Sequence, residues 1–488
     1  MTKISYLPGR SGSPGTDALP PLAESVDYIA SLGKPTAARV LTDARDAGRV
    51  AIQPRCGVGG HEEMKALLRE LEEQAAPDIL TLTIDSHTRL KRFEQALRSL
   101  NRAPADLNGY PLVSHGYLRG REVNESVTAP LEIRHGSPDA RILFDVAVAS
   151  GITSFEGGGI SYNLPYSKAV PLAESLAAWN AVDTVCGELA GLGLIVDREL
   201  FGTLTAVLVP PSISLAISVL EAVLAARAGV RCISVSYPQS GHLVQDVAAL
   251  RAIPVLARTY LPPEVDVHAV LHEFMGVFPK KRGNAEDLIF YGALVARLGG
   301  ASKLITKTYQ EAFGIPDTRA NVEGLRLADR ANSPLLGFVK ADEERVADEL
   351  SWIVDEVADI VEPVLAAPDT MTAVVDAFAA GRLDIPFSAS RYAKSEIIPK
   401  RDAEGAIRYL STGSLPFGDR TRRRNSELLE GAGPKDSGLK GSGGTGPVIG
   451  SLLTGLTDDI NYFPTLFGEM QKETQRATQK ETQNEDAE

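Results

Sequence analysis

Apolar residues along this chain follow two patterns that alternate with each other. Nine short runs are rich in β-branched and other apolar residues. Between them lie segments such as His61–Gln74 and Thr88–Leu100, where apolar residues recur every three to four positions. Strands that alternate with helices predict a parallel sheet. The predicted strands are Val50–Arg55, Asp78–Asp85, Tyr110–His115, Leu131–Arg134, Ile152–Glu156, Leu204–Val209, Arg231–Tyr237, Val265–Leu271 and Lys303–Thr308.

The number of predicted strands selects the fold class. Nine strands within about 260 residues fit an α/β fold of the (β/α)8 TIM-barrel type with one strand too many. An open doubly wound sheet is the alternative, but no Gly-x-Gly-x-x-Gly motif follows an early strand. The predicted regions are an N-terminal arm and helix (1–45), the (β/α)8 barrel (46–330), a helical and irregular C-terminal region (331–430), and a glycine-rich linker with a flexible tail (431–488). Within the C-terminal region, Ala341–Phe378 is predicted to be a helix and 379–417 to be ordered but irregular. The tail contains a short terminal repeat, Gln471–Gln475 and Gln479–Gln483.

The charge balance and the cysteine content narrow the function classes. With 50 Lys and Arg against 63 Asp and Glu, the net charge is −13, which argues against a general nucleic-acid binder. The basic run Arg420–Arg424 is therefore interpreted as a solvated face. Three cysteines without Cys-x-x-Cys spacing argue against a disulfide framework. The chain shows neither a signal peptide nor an apolar run of 18 residues, so we expect a cytoplasmic protein.

Charged residues stand at or just after the carboxyl ends of the first five predicted strands. In a barrel these ends meet at one mouth, which holds the active site. Arginine presents a planar fork that binds carboxylates bidentately, and a single carboxylate binds an ammonium group. The pattern therefore predicts an acidic amino acid as ligand, although each arginine could instead pair with a structural carboxylate, for example Arg55 with Asp85. The residues at the strand ends are Arg55, Asp85, Arg89, His115, Arg134, His135 and Glu156.

A glycine-rich segment follows the fifth predicted strand and reads Glu156-Gly-Gly-Gly-Ile-Ser-Tyr162-Asn-Leu-Pro165-Tyr166. Three glycines allow backbone to approach a ligand closely, and the two tyrosines supply hydroxyl groups. A phosphate-binding loop is disfavoured because no Gly-Lys-Ser/Thr follows. A simple tight turn after the strand is the remaining alternative.

The sequence does not indicate a metal site or a nucleophilic catalytic triad. His268 and His272 have the spacing of metal ligands on a helix, but their segment is a predicted strand and no His-Glu-x-x-His motif is present. We therefore predict no metal site. No Cys-His or Ser-His-Asp arrangement points to a nucleophilic hydrolase.

Several of these motifs together resemble the glutamate mutase epsilon subunit family, the catalytic component of methylaspartate mutase. The resemblance runs in order from about residue 45 to residue 420. The similar motifs are Gln-Pro-Arg55-x-Gly57, Thr-Ile-Asp-x-x-Thr-Arg89, Asn108-Gly-Tyr-Pro, Arg134-His135-Gly-x-Pro-Asp, the glycine-tyrosine segment from Glu156 to Tyr166, Lys307-Thr-x-x-Glu311-Ala-x-Gly-Ile315-Pro, Asp384-Ile-Pro-Phe, Arg408-Tyr-Leu and Pro416-Phe417.

The resemblance implies a (β/α)8 barrel and a reaction. Adenosylcobalamin would serve the radical interconversion of L-glutamate and (2S,3S)-3-methylaspartate. Arg55, Arg89 and Arg134 would bind the two substrate carboxylates. The other implied substrate contacts are Glu156, which also has a catalytic role, Tyr162, Tyr166 and His135. The implied cobalamin contacts are Gly57, Asn108, Pro165, Phe278, Lys307, Glu311 and Ile315.

The resemblance also implies a partner. In this family a small subunit with an Asp-x-His-x-x-Gly motif holds cobalamin and ligates cobalt from below. This chain lacks that motif, because Asp266-x-His268 is followed by Ala-Val-Leu. We therefore expect a complex of two large and two small subunits, with no binding to nucleic acid or membranes.

Three alternatives remain at the level of sequence. The first is a related mutase for another 2-amino dicarboxylate. The second is a non-catalytic barrel subunit that binds an acidic amino acid. The third is an aldolase- or lyase-type barrel in which Lys307 forms a Schiff base.

Overall fold

Eight parallel strands form a barrel in this computed structural model, which describes residues 19–203, 207–430 and 455–468. The strand order is β1-β8-β7-β6-β5-β4-β3-β2. Backbone bonds of 3.0 Å from Asp78 N to Ile52 O and from Thr83 N to Cys56 O connect the chain near β2 to β1. This confirms the predicted (β/α)8 fold. The strands are β1 Ala51–Gln53, β2 Leu80–Thr83, β3 Leu131–Arg134, β4 Ser154–Glu156, β5 Asp197–Leu200, β6 Cys232–Pro238, β7 Asp266–His272 and β8 Lys303–Ile305.

Helices connect the strands and surround the barrel. Most pack an apolar face against the sheet, as the helical spacing of apolar residues requires. The helices up to β8 are α1 Leu22–Ser31, α2 Ala37–Asp46, α3 His61–Ala75, α4 Ser86–Arg89, α5 Phe93–Arg102, α6 Leu112–His115, α7 Tyr117–Glu125, α8 Arg141–Ala149, α9 Leu172–Gly191, α10 Pro211–Arg227, α11 Leu243–Tyr260 and α12 Arg282–Gly299. After β8 follow α13 Thr318–Ala328, α14 Glu343–Leu365, α15 Thr370–Ala380, α16 Asp419–Glu430 and α17 Tyr462–Leu466.

The predicted strand Tyr110–His115 is wrong. Tyr110 forms one isolated bridge with Ile84, and Pro111 then precedes the short helix α6. A proline has no N–H to donate to a sheet, so the pairing ends there. Leu112 and Val113 are buried, which explains the apolar run that favoured a strand.

The predicted strand Leu204–Val209 is also misplaced. Residues 204–206 lie outside the described residues, and 207–209 form a loop that leads into α10. The fifth strand is β5, whose sequence Asp-Arg-Glu-Leu lacks an apolar run. Asp197 and Glu199 point into the barrel and Arg198 points outward to Asp183 of α9. Because all three charged side chains are buried with hydrogen-bond partners inside the protein, a search for apolar runs cannot detect this strand.

The region after the barrel packs on its helices. A single helix predicted over Ala341–Phe378 is two helices, because Pro368 follows α14 and Asp369 caps α15 through a 3.1 Å bond from Met371 N. Helix α14 packs on α10 and α11. The segment 379–417, predicted as irregular, contains a hairpin of β9 Ile398–Arg401 and β10 Ile407–Ser411.

Most of the predicted N-terminal arm, the glycine-rich linker and the terminal repeat fall outside the described residues. Within the predicted tail, however, residues 455–468 are mainly helical and contact the barrel. The three cysteines, Cys56, Cys186 and Cys232, are buried and free. Among the described helices, none has both the length and the apolar character needed to cross a lipid bilayer.

Candidate active site

The centre of the candidate site is a buried group of three side chains at the carboxyl ends of β3 and β4. Arg134 ends β3 and Glu156 ends β4, so barrel closure brings them to the same mouth. The Arg134 guanidinium and the Tyr162 hydroxyl each donate a hydrogen bond to a different oxygen of Glu156. All three residues are at most 4% exposed, so these bonds form away from water.

A second layer of charge lies beneath this centre. Nη1 of Arg134 donates to Glu132 Oε1 at 2.8 Å and to Glu199 Oε1 at 3.2 Å. Nζ of Lys303 lies 2.5 Å from Glu132 and 2.6 Å from Glu199. Buried charges are stable only when they are paired and hydrogen-bonded, and here two cations share two carboxylates. Arg134 is therefore held from below in a fixed orientation.

The pKa values in this network shift in opposite directions. Burial raises the pKa of Glu156, although Arg134 opposes the shift. Burial also acts to raise the pKa of Glu199, but Lys303 and Arg134 outweigh it and hold that pKa well below its usual value. Two neighbouring carboxylates thus differ: Glu199 is firmly ionised, whereas Glu156 can gain or lose a proton near neutral pH.

His272 at the end of β7 joins the same network. Burial, followed by the charge of Arg134, lowers the pKa of His272 to about 3, so its ring is neutral. Its Nε2 lies 2.9 Å from Glu199 Oε1. Because an ionised carboxylate can only accept, we assign the ring proton to Nε2. Among the described residues, Nδ1 has no hydrogen-bond partner.

Glu156, Glu199 and His272 place one ligand atom each within 4.8 Å of one another. The Arg134 guanidinium donates to both carboxylates and so already supplies the positive charge that a metal ion would bring. The geometry therefore does not favour a metal ion at this point.

Arg55 and Arg89 approach the centre from two other strands. Arg55 follows β1, with Nη1 3.8 Å from Met275 Sδ, and Arg89 ends α4, with its Nε donating to Ile84 O at 2.7 Å. In the described part of the chain neither guanidinium forms an ion pair with a carboxylate. The alternative pairing of Arg55 with Asp85 is wrong, because Asp85 instead caps α4 by accepting from His87 N at 2.8 Å.

Tyr166 shows that the three arginines converge. Burial and then Glu156 raise the pKa of its hydroxyl, while the charges of Arg55, Arg89 and Arg134 all act to lower it. Coulomb interactions weaken with distance, so all three guanidinium groups lie within electrostatic range of this hydroxyl. The Tyr166 ring itself contacts the Tyr162 ring, with centroids 5.5 Å apart. The residue as a whole keeps 39% exposure, which places it at the mouth of the site.

The glycine-rich loop after β4 is anchored from α10. The Glu221 carboxylate accepts from Ile160 N at 2.7 Å and from Ser161 N at 2.9 Å. Burial raises the pKa of Glu221 to about 7. Gly157 has φ +118°, and a Cβ there would lie 2.5 Å from the Tyr162 ring, so no other residue fits at this turn. The loop thus fixes Tyr162 against Glu156.

His135 lies behind the centre. Its ring stacks on Trp179 with centroids 5.7 Å apart and meets the Tyr162 ring edge-on at 4.8 Å. Burial and the charge of Arg89 lower its pKa well below the usual value, so the ring is neutral. His115, which was also predicted at a strand end, belongs to α6 and stacks on Tyr110 instead.

The predicted cofactor contacts lie in different surroundings. Lys307 donates to Glu311, and burial followed by the charge of Arg55 lowers the pKa of Lys307 to about 8. Arg55 also acts on Glu311, so this pair borders the arginines. Ile315 is 68% exposed. Phe278, in contrast, is buried in a separate apolar cluster with Phe274 and Phe463.

Two further predicted positions, Gly57 and Asn108, have structural roles. A Cβ at Gly57 would lie 2.7 Å from Thr83 O, so glycine is required where β1 passes β2. Asn108 Oδ1 accepts from Ser86 N at 2.9 Å and holds the start of α4. Pro165 is partly buried in the glycine-rich loop next to Tyr166.

Sequence reasoning missed the second layer and the loop anchor. Glu132 lies between Leu131 and Ile133, and Lys303 directly precedes Leu304 and Ile305. A charge next to apolar residues of a predicted strand could have drawn attention to both. His272 was set aside with the metal hypothesis, and Glu199 lies in the strand that was missed. The residues that sequence reasoning did not assign to the site are Glu132, Glu199, Glu221, His272 and Lys303.

Comparison with known proteins decides the family. The family described as Methylaspartate mutase E chain (MutE) matches residues 34–437, which is most of the chain. The chain belongs to this family. The glutamate mutase epsilon subunit of Halobacterium salinarum is 41% identical over 414 residues, covering 84% of this chain and 86% of that protein. The epsilon subunit of Desulfitobacterium hafniense is 38% identical over 417 residues, covering 82% and 85% of the two chains. That of Yersinia enterocolitica is 40% identical over 394 residues, covering 78% and 81%.

Membership of the methylaspartate mutase E-chain family confirms the resemblance stated from the motifs. It identifies the chain as the catalytic component of a glutamate mutase and therefore as an isomerase. All the residues of the buried centre lie within the matched region.

Proposed function

We propose that this protein interconverts L-glutamate and (2S,3S)-3-methylaspartate, with the substrate at the mouth of the barrel. The observation that carries the proposal is the buried group of Arg134, Glu156 and Tyr162 at the barrel mouth. Tyr166 packs on Tyr162, and the charges of Arg55, Arg89 and Arg134 all act on its hydroxyl. Three guanidinium groups match two carboxylates, and one carboxylate matches one ammonium group.

The contacts of each arginine suggest its role in binding the substrate. Arg55 and Arg89 have their guanidinium groups free of carboxylate partners in the described structure and would bind the substrate carboxylates bidentately. Arg134 is oriented by Glu132 and Glu199 and would complete the binding of one carboxylate. Glu156, held by Tyr162, would bind the substrate ammonium group and accept a proton from it. Tyr166 and the neutral His135 would shape the space around the amino group.

The chemistry requires a cofactor, and the outer mouth fits adenosylcobalamin. The buried Lys307–Glu311 pair offers a donor and an acceptor for hydroxyl groups, next to the exposed apolar Phe313 and Ile315. Gly57, Asn108 and Pro165 are further contacts in the proposal, together with Phe278. When bound, the cofactor supplies the radical that removes and returns a substrate hydrogen atom. The residues of this chain fix both ends of the substrate and exclude water, because a neutral radical offers little charge for the protein to stabilise.

The proposal includes a partner and a location. The cobalt ligand and most of the cobalamin tail would be held by a small subunit with an Asp-x-His-x-x-Gly motif, in a complex of two large and two small subunits. The three buried free cysteines fit a reducing compartment, and the proposed location is the cytoplasm.

The proposal is tested by mixing the chain with its small subunit, adenosylcobalamin and L-glutamate, and following product by proton NMR. We expect a methylaspartate signal that requires all four components. In the same assay R55M and R89M should raise KM by about 10- to 100-fold, since a hydrogen bond to a charged group contributes about 1.5–3 kcal/mol.

The matched control is Arg98→Met on α5, an exposed arginine whose loss should leave KM unchanged. Turnover of a different 2-amino dicarboxylate, with glutamate inert, would establish the related mutase instead. Tight glutamate binding with no product in the complete mixture would establish the non-catalytic binding subunit.

A further inference from the structure

A short C-terminal segment, residues 455–468, packs against the outside of the loops that carry the proposed cofactor contacts. It includes helix α17 and lies beyond residue 437, where the family match ends. Phe463 of this segment is only 4% exposed. A terminal segment that buries an aromatic ring so completely is bound in a specific site.

Polar contacts fix the segment to the β9 strand and to the loop after β6. Arg401 N donates to Asp459 Oδ2 at 3.0 Å, and the Arg401 guanidinium lies 4.0 Å from the centre of the Tyr462 ring. The same guanidinium donates to Ser240 O at 2.8 Å. A Cβ at Gly241 would lie 3.0 Å from both the Phe463 and the Tyr462 rings, so this loop is shaped to receive them.

Apolar contacts connect the segment to the loops after β7 and β8. The Phe463 ring meets the Phe274 ring edge-on with centroids 4.8 Å apart. Phe463 and Phe274 belong to one apolar cluster with Phe278, against which Tyr309 and Ala312 pack. Phe278 is a proposed cofactor contact, and Tyr309 and Ala312 lie between Lys307 and Ile315, which are two others.

We propose that residues 455–468 position the loops after β6, β7 and β8 for the cofactor, with Phe463 as the main positioning residue. The role in cofactor binding rests on the proposed function. The ordering of the loops by Phe463 does not depend on the proposed function. Phe463 touches neither substrate nor reacting atoms in this proposal. It acts through the apolar cluster that contains Phe274 and Phe278, since Phe278 is a proposed cofactor contact.

Hydrogen exchange in the full chain, without cofactor or small subunit, tests the structural part. Phe463→Ala should raise amide exchange in residues 273–281 and 307–315 by at least tenfold and leave the loops after β1 to β4 unchanged. Leu466→Ala is the matched control, since Leu466 is on the same helix but 64% exposed, and it should change neither region. Unchanged exchange in both loops of F463A would overturn the inference.

Truncation separates this inference from the proposed function. A chain ending at residue 454 should bind adenosylcobalamin, in the presence of the small subunit, at least tenfold more weakly than the full chain. A chain ending at residue 468 should bind normally. A synthetic peptide of residues 455–468 should restore binding to the shorter chain, which also shows that this chain remains folded.

The outcomes of the binding experiment distinguish the positioning role from the proposed function. Equal affinity of the two truncated chains would overturn the positioning role. If the full chain itself fails to bind adenosylcobalamin, the proposed function fails, and the exchange experiment still decides whether Phe463 orders the loops.

Discussion

Arg134 illustrates how much the environment of one residue determines its chemistry. Its guanidinium contacts three carboxylates, from Glu132, Glu156 and Glu199, whereas Arg55 and Arg89 have no carboxylate partner in the described residues. Arg134 is thus the rigid member of the three, and its orientation is fixed before any ligand contact. The other two have no carboxylate to satisfy, so most of their donors are free for a ligand, although Arg89 Nε already donates to Ile84 O.

Glu156 is expected to affect turnover more than substrate affinity. Its raised pKa, caused first by burial, allows it to accept a proton from the substrate ammonium group. Glu156→Gln keeps the size and one acceptor oxygen for Arg134, while its amide nitrogen would donate to the Tyr162 hydroxyl oxygen instead of accepting from it. The amide cannot accept the substrate proton. In the reconstituted system we expect kcat to fall about 100-fold with KM changed less than about threefold.

The pH profile provides the second readout for E156Q. A wild-type rise in kcat as Glu156 ionises should be absent in the variant, because its amide does not titrate. An equal loss in kcat and in substrate affinity would show that Glu156 only binds the substrate.

Among the elements, the pairing of α10 with the glycine-rich loop has the clearest functional consequence. Helix α10 is buried over most of its length, and Glu221 is its charged residue in that buried stretch. The carboxylate bonds to Ile160 and Ser161 hold a loop whose glycines provide no side-chain contacts of their own. An apolar helix therefore positions Tyr162 through a single polar side chain.

Glu221→Ala should loosen this loop. Ile160 N and Ser161 N would lose their acceptor, and the KM for glutamate should rise by about tenfold because a lost bond to a charged group costs about 1.5–3 kcal/mol. Glu221→Gln retains an oxygen acceptor and should rescue most of the loss. Proteolysis between residues 157 and 170 should be faster in E221A, and equal cleavage of E221A and wild type would contradict the anchoring role.

On the scale of the whole molecule, a buried ionic cluster fastens the C-terminal region to the barrel. Glu349 of α14 accepts from Arg408 of β10 at 2.6 Å, from Arg424 of α16 at 2.9 Å and from Gln245 of α11 at 2.9 Å. The basic run at 420–424 is thus only partly a solvated face, since Arg424 is engaged here. One carboxylate connects four elements from two regions of the chain.

This cluster predicts a specific dependence of stability on pH. Burial acts to raise the pKa of Glu349, but Arg408 and Arg424 outweigh it and lower that pKa to about 2. The unfolded value is about 4.3. Since the folded pKa is the lower one, the stabilisation is complete above about pH 4.3 and is lost as pH falls towards 2.

Urea unfolding of wild type and Glu349→Gln at two pH values measures this effect. At pH 6 the variant should have a free energy of unfolding lower by an amount on the order of 3 kcal/mol, and the difference should shrink at pH 3. Glu344→Gln, an exposed neighbour on α14, should show no difference at either pH. If the free energies of unfolding of E349Q and wild type differ by the same amount at both pH values, the lowered pKa of Glu349 is contradicted.

The sequence by itself determined the alternation of strands and helices, the three arginines at the barrel mouth and the glycine-rich loop. These features are local. Each is a spacing or a contiguous motif of a few residues, so it can be recognised from the sequence alone. The same locality explains the errors. The apolar run at 110–115 was predicted as a strand and the charged strand at 197–200 was missed, because each assignment depends on the residues that pack around the segment.

Only the tertiary structure decided which charges meet. Lys303 and Glu132 are 171 positions apart, and their pairing exists because the barrel closes β8 onto β1 and directs both side chains inward. The same holds for Glu221 beneath the glycine-rich loop and for Phe463 against Phe274. Contacts between distant segments depend on the packing of the whole chain, so no short sequence pattern predicts them.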